Sequence, residues 1–282
     1  MIITASINSQ NRIFNSRQKK NLNLSKNNTA PEFLARKTNQ ANIYENNKLS
    51  PLFALSFCAN NNIEVLKALE NLDESLKDFD RDKNIVSLDA KTGRVKVTHN
   101  KKLEGDLNVI FNKFPVLNQT IERKNFHACK IITHLLEVTK EIVEYPEFKE
   151  LPPASQRLAR ICALFHDVEK DIELPERGKD HPEIGAKTVV KEFSKLGFSQ
   201  KELFAMHQII KNHHWVGHLK TGVKTEDEIA LEFKNYPEAF DISILLSSAD
   251  INAGGNPDYL RDFKNIFHPI VTNEIKEKIK EL

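Results

Sequence analysis

His166 and Asp167 stand side by side near the end of LARICALFHDVEK, the apolar run from Leu158 to Lys170. The run reads as a buried helix, and burying an imidazole beside a carboxylate is costly unless something satisfies both. A divalent cation would do so. His134 upstream, and Asp250 downstream in the apolar stretch SILLSSAD, are ligand-type side chains at core-facing places on other predicted helices. Packing those helices can bring four nitrogen and oxygen ligands to one point inside a bundle. Imidazole mixed with carboxylate suits Mn, Fe, Mg or Zn, and the residues alone do not choose among them. A dication in such a site lowers the pKa of its water from about 16 towards 7 and neutralises phosphoryl charge, so the chemistry in view is phosphate-ester hydrolysis.

Helical periodicity must supply the scaffold. Apolar spacing predicts helices over 63–76, 105–113, 126–144, 154–170, 181–195, 199–211, 225–234, 238–249 and 271–281, with a short one at 50–57. Pro146, Pro152 and Pro153 bracket one connection, and Pro175 with Gly178 another. The stretch NIVSLDAKTGRVKVTHN alternates apolar and polar residues on both sides of Lys91-Thr92-Gly93 and reads as a β-hairpin that must pack on something. Residues 5 to 50 are rich in Asn, Ser, Gln and Lys without apolar period, the composition of a segment that does not order itself.

Charge and cysteine usage narrow the class. A net charge of +2 over 282 residues gives no reason to expect nucleic acid or an anionic membrane as partner. The three cysteines, Cys58, Cys129 and Cys162, suit free thiols in a reducing compartment. No apolar run is long enough for a membrane span and no secretory signal is read, so a cytoplasmic location is expected.

The order His, then His-Asp, then Asp resembles the signature of the HD-domain metal-dependent phosphohydrolase superfamily. FHACKIITHLLEV (126 to 138), ALFHDVEK (163 to 170), KDHPEIGA (179 to 186), IIKNHH (209 to 214) and SSADINAGGNP (247 to 257) narrow it. They look like the HD domain of the bifunctional uridylyltransferase and uridylyl-removing enzymes that act on the nitrogen-regulatory PII protein. The resemblance implies an all-α HD-domain bundle with His134, His166, Asp167 and Asp250 as metal ligands and one or two divalent ions, Mn, Fe, Mg, Zn or Ni. It implies a second metal or a phosphate at His181 and His213, with His214 competing for the place of His213, and His127 as the alternative first ligand. Asp167, Lys170, His181 and His213 then become the catalytic residues, and the substrate a nucleotide, a phosphodiester or a nucleotidylated protein. Domain boundaries on this reading are a low-complexity arm at 1–50, a small helical region with the hairpin at 51–114, the HD domain at 115–270 and a terminal helix at 271–282.

Departures from that family bear on function. The first 115 or so residues show no Gly-Ser loop with paired aspartates, the mark of the nucleotidyltransferase domain that precedes the HD domain in those enzymes. A regulatory module that binds a nucleotide or a partner protein without turnover is therefore the competing function. Several residues have plainer readings. Glu169 is expected to face solvent and Trp215 to anchor the core rather than stack on a base. Gly254-Gly255 should end a helix, KEIVEYPEFKE reads as a solvated helix end, and His207, His218 and His268 as structural or surface histidines.

Overall fold

Helices form where the apolar period is strong, and in the computed structural model they make an all-α bundle carrying one short hairpin. The structure describes residues 60–122, 129–170, 175–254 and 269–282, all within one unit, Ser50–Leu282. The arm at 1–50, the helix expected at 50–57, His127 and His268 lie outside the described residues.

The chain runs α1 (Asn60–Ser75), β1 (Val86–Leu88), β2 (Val95–Val97), α2 (Lys101–Lys113), a 3-10 turn at Pro115–Leu117, then α3 (Asn118–Glu122), α4 (Ile131–Glu144) and α5 (Pro146–Glu150). It continues with α6 (Pro153–Phe165), α7 (Pro175–Phe193), α8 (Gln200–Lys211), α9 (Trp215–Thr221), α10 (Glu226–Phe233), α11 (Glu238–Ala253) and α12 (Pro269–Glu281). Helices α4, α6, α8 and α11 form the centre, each packed on two or three of the others, and α7 lies along α8. Their inward stripes, among them Leu135, Leu136, Ile161, Leu164, Ile209, Ile210 and Leu246, have no exposed surface. Each such side chain contributes roughly 1.5–3 kcal/mol by burial.

The hairpin pairs antiparallel with Val86 opposite Val97 and turns through Gly93 at φ 65°. It packs on α2, as a lone hairpin must. Asn108 exchanges two hydrogen bonds with the Val95 backbone, and Glu104 accepts from the Val97 N–H. Buried Val86, Val95 and Val97 fasten the hairpin to the apolar core.

Several boundaries differ from the periodicity. α6 stops at Phe165, not Lys170, because the backbone then closes tight turns, Val168 N–H to Phe165 O and Lys170 N–H to Asp167 O. Val168 stays buried, so the apolar pattern runs on past the end of the helix. Pro175 opens α7, and Gly178 lies within that helix, so the connection expected there is helical. Proline suits a first turn, where its missing N–H is not needed. Pro146 and Pro153 likewise start α5 and α6. Helices α3, α5 and α9 were too short for periodicity to reveal.

The first helix is latched to the bundle by charge. Arg160 of α6 holds both carboxylate oxygens of Asp73 of α1 and lies over the Phe148 ring. Its guanidinium is almost buried, whereas Asp73 is about one-third exposed. Asp73→Ala strands the cation, and we expect it to lower stability by about 2–3 kcal/mol, less than for a fully buried pair. Urea unfolding measures this, and a loss under about 0.5 kcal/mol would mean the latch is dispensable.

Candidate metal centre

The His-Asp pair sits in the turn that ends α6, and the turn is what makes it useful. Adjacent residues in a continuous helix diverge by about 100°; here the His166 Nε2 and Asp167 Oδ2 atoms lie 3.6 Å apart. Both side chains are fully buried.

Asp167 presents its two oxygens to two groups. Oδ2 faces His134 Nε2 at 3.8 Å and His166 Nε2 at 3.6 Å, and accepts from the Lys170 ammonium at 2.6 Å. Oδ1 faces His181 Nε2 at 3.0 Å and His213 Nε2 at 3.4 Å. Asp250 closes the first group, 2.8 Å from His134 Nε2 and 3.6 Å from His166 Nε2. Among the described residues two sets could each hold a metal ion: His134, His166, Asp167 and Asp250; and Asp167, His181, His213 and His214. Within each, one ligand-type atom per residue lies within 4.8 Å of the others.

Two histidines are aimed by backbone carbonyls. His166 donates Nδ1–H to Ala163 O at 2.8 Å, and His213 donates Nδ1–H to Ile210 O at 2.7 Å. A carbonyl only accepts, so Nδ1 carries the proton and Nε2 is turned towards the carboxylates. Both Nε2 atoms are buried and make no hydrogen bond. Buried nitrogens facing carboxylates, each oriented through its other ring nitrogen, fit a divalent cation.

His213 and His214 both occupy the turn between α8 and α9, and their rings stand 3.9 Å apart. Asn212, buried, caps α8 and takes a hydrogen bond from Lys224, while Ser247 of α11 donates to His213 O at 2.7 Å. Neither Ser247 nor Asn212 stood out in the sequence; Ser247 lies one turn before Asp250, which was the available signal. Glu169 is half-buried and accepts from Thr188 of α7 at 3.1 Å, so it braces the turn instead of facing solvent. Trp215 is a core anchor, buried with its ring against Phe240. Gly254 caps α11 as expected.

Burial and charge pull the ionisations apart. Burial alone would raise the Asp167 carboxyl, but Lys170, His166, His181 and His213 outweigh it and hold it well below the usual range. Asp250 is likewise held down against burial by His134 and His166. Burial opposes protonation of His166 and Lys170, yet the neighbouring carboxylates raise both. Burial lowers His213, and burial with the adjacent His213 lowers His214 further.

Comparison with known proteins bears on the same part of the chain. Residues 131–239 match the HD domain family. A bifunctional uridylyltransferase/uridylyl-removing enzyme of Acinetobacter baumannii strain AYE is 34% identical over 119 residues, 37% of this chain and 13% of that protein. That of Acinetobacter baylyi is 30% identical over 143 residues, 45% of this chain and 16% of that protein. The chain thus aligns with about an eighth to a sixth of the length of these relatives. Among the described residues no helix is long and apolar enough to cross a membrane.

Protein stripped of metal should be most stable near the ordinary histidine pKa of about 6.5. His213 and His214 bind protons less tightly folded than unfolded, so acidification below that value favours unfolding. His166 binds its proton more tightly when folded; that contribution is full below about 6.5 and lost as pH rises through the elevated value. Urea unfolding at pH values of about 5.5, 6.5 and 8 should therefore trace a maximum, with the alkaline limb flattened by a saturating divalent cation. A curve that rises or falls throughout contradicts this.

Proposed function

We propose that the HD domain at residues 131–239 is a metal-dependent phosphohydrolase or phosphodiesterase acting on a nucleotide or nucleotidyl phosphodiester. The observation that carries this reading is the two-sided Asp167 carboxylate, with one oxygen turned to each histidine group. His134, His166, Asp167 and Asp250 would hold one cation, and Asp167, His181, His213 and His214 a second. Mn, Fe, Mg, Zn and Ni are all compatible with such a set. When bound, these ions supply Lewis-acid charge and make water acidic enough to ionise near neutral pH.

The chain's own side chains would orient and balance the rest. His166 and His213 are held by the Ala163 and Ile210 carbonyls with Nε2 facing inward. Lys170, buried against Asp167, would meet a phosphoryl oxygen and offset charge that develops in the transition state. With a single cation in the first group, His181 and His213 would be left to protonate a leaving oxygen. The catalytic unit would extend over 115–270. The uridylyl-removing activity named for the relatives favours a nucleotidyl substrate, including a nucleotidylated protein.

Protein loaded in turn with Mn²⁺, Fe²⁺, Mg²⁺, Zn²⁺ and Ni²⁺ should hydrolyse bis(p-nitrophenyl) phosphate with at least one metal. Asp167→Asn should reduce metal content in both groups and lower turnover at least about 10³-fold. Lys170→Ala should keep the metal and lower turnover about 10²-fold. Loaded protein that binds nucleotide tightly yet turns over no ester would be a regulatory module instead.

A further inference from the structure

His134 and Asp250, both candidate ligands, join α4 to α11 at 2.8 Å. A second junction of the same helices uses no candidate ligand. Tyr145, the residue that caps α4, belongs to the stretch KEIVEYPEFKE that reads as a solvated helix end, yet it is half-buried and its hydroxyl reaches across to α11. Asn252 donates Nδ2–H to that hydroxyl at 2.7 Å, and the Ser248 hydroxyl lies 3.3 Å from it. Glu141, one turn earlier on α4, faces both Asn252 and Tyr145 as well.

Ser248 and Asn252 bracket Asp250, two residues before it and two after. Asp250 opens the last turn of α11, which ends at Ala253. Terminal turns fray, because the last four carbonyls of a helix have no partner further along. Residues four apart stand about 5–6 Å from one another in a helical turn and about 13 Å in an extended chain. A single phenol oxygen can therefore hold Ser248 and Asn252 together only while the turn that carries Asp250 stays wound. Burial, the largest influence on the Tyr145 phenol, raises its pKa, so the hydroxyl keeps its proton at neutral pH and can donate on one side while it accepts from Asn252 on the other.

The demand on this junction is greatest when the centre is occupied. His134 Nε2 and Asp250 Oδ1 give up their mutual hydrogen bond when both ligate a cation, and the end of α11 is then held to α4 by bonds that involve no ligand. We propose that Tyr145 is a positioning residue for the first set of candidate ligands, clamping the last turn of α11 so that Asp250 stays aimed at His134 and His166. Outer groups that orient metal ligands set affinity in this way without touching the ion. The role rests on His134, His166, Asp167 and Asp250 holding a cation, as proposed above. Asp167, His181, His213 and His214 take no member from α11, so a cation in that set is outside the reach of the clamp.

Calorimetric titration of the full chain with Co²⁺ tests this, read together with the visible absorption of the bound ion. Tyr145→Phe, which keeps the ring and removes the hydroxyl, should weaken one equivalent about tenfold, the size expected when an outer partner of a metal ligand is lost. Where two equivalents bind, the other should stay within about twofold. Asn252→Ala should weaken the same equivalent, and the two substitutions combined should go no more than about twofold beyond Tyr145→Phe alone. Asp241→Ala is the control: it removes the Lys276 tie in the first turn of α11 and should leave Co²⁺ binding within about twofold. Circular dichroism and the urea midpoint check that each variant is folded as titrated, and if Tyr145→Phe does not fold, Asn252→Ala decides. Unchanged affinity in Tyr145→Phe overturns the proposal, as does an equal loss in Asp241→Ala, which would reduce Tyr145 to a general prop of α11. A chain that binds no Co²⁺ overturns it together with the metal reading, whereas Tyr145-dependent binding without turnover of bis(p-nitrophenyl) phosphate would sink only the hydrolytic function.

Discussion

A carboxylate with no solvent exposure governs this structure. Isolated in an apolar interior, the ionised Asp167 side chain would cost several kcal/mol. Instead Lys170 and histidines from α4, α7, the turn ending α6 and the turn after α8 surround it, and Lys170, His166, His181 and His213 hold it ionised against its burial. Those groups can converge only because several helices stop or cross at the same depth. The packing of α4, α6, α8 and α11 is the frame of that convergence.

Most of the bundle was legible because apolar period reports which face of a helix is buried. It does not report where backbone hydrogen bonding changes from one turn to the next. α6 therefore ended five residues before its apolar pattern did, and Pro175 opened a helix where a connection had been read. The same limit hid that His213 and His214 share a turn between two helices. His134, His166, Asp167 and Asp250 were visible by type and order, and His181 and His213 through the family resemblance; the six do lie together. Their supports were not visible: Ser247, Asn212, Lys224 and Thr188 are ordinary polar residues whose importance depends on contacts across 12 residues, as with Lys224 and Asn212, 19, as with Thr188 and Glu169, or 34, as with Ser247 and His213.

The region before α4 has a definite place in the architecture. α1 and α2 pack together, the hairpin rests on α2, and Arg160 ties α1 to α6. The segment following α1 then forms one side of a cleft whose other side is α4 and α11. A residue such as Arg81, which no motif marks, thereby comes within 3.7 Å of Glu137, one turn from a candidate ligand.

His134 and Asp250 touch at 2.8 Å although 116 residues separate them in the chain. Contacts of such sequence separation carry a loop-closure entropy that the packed helices must offset. Until α11 rests on α4, the set of His134, His166, Asp167 and Asp250 lacks its fourth member, whereas Asp167, His181, His213 and His214 take no member from α11. A ligand held by all four residues of the first set therefore stabilises only forms in which α11 has docked. Binding at that set would thus tell a chain with α11 in place from one without it.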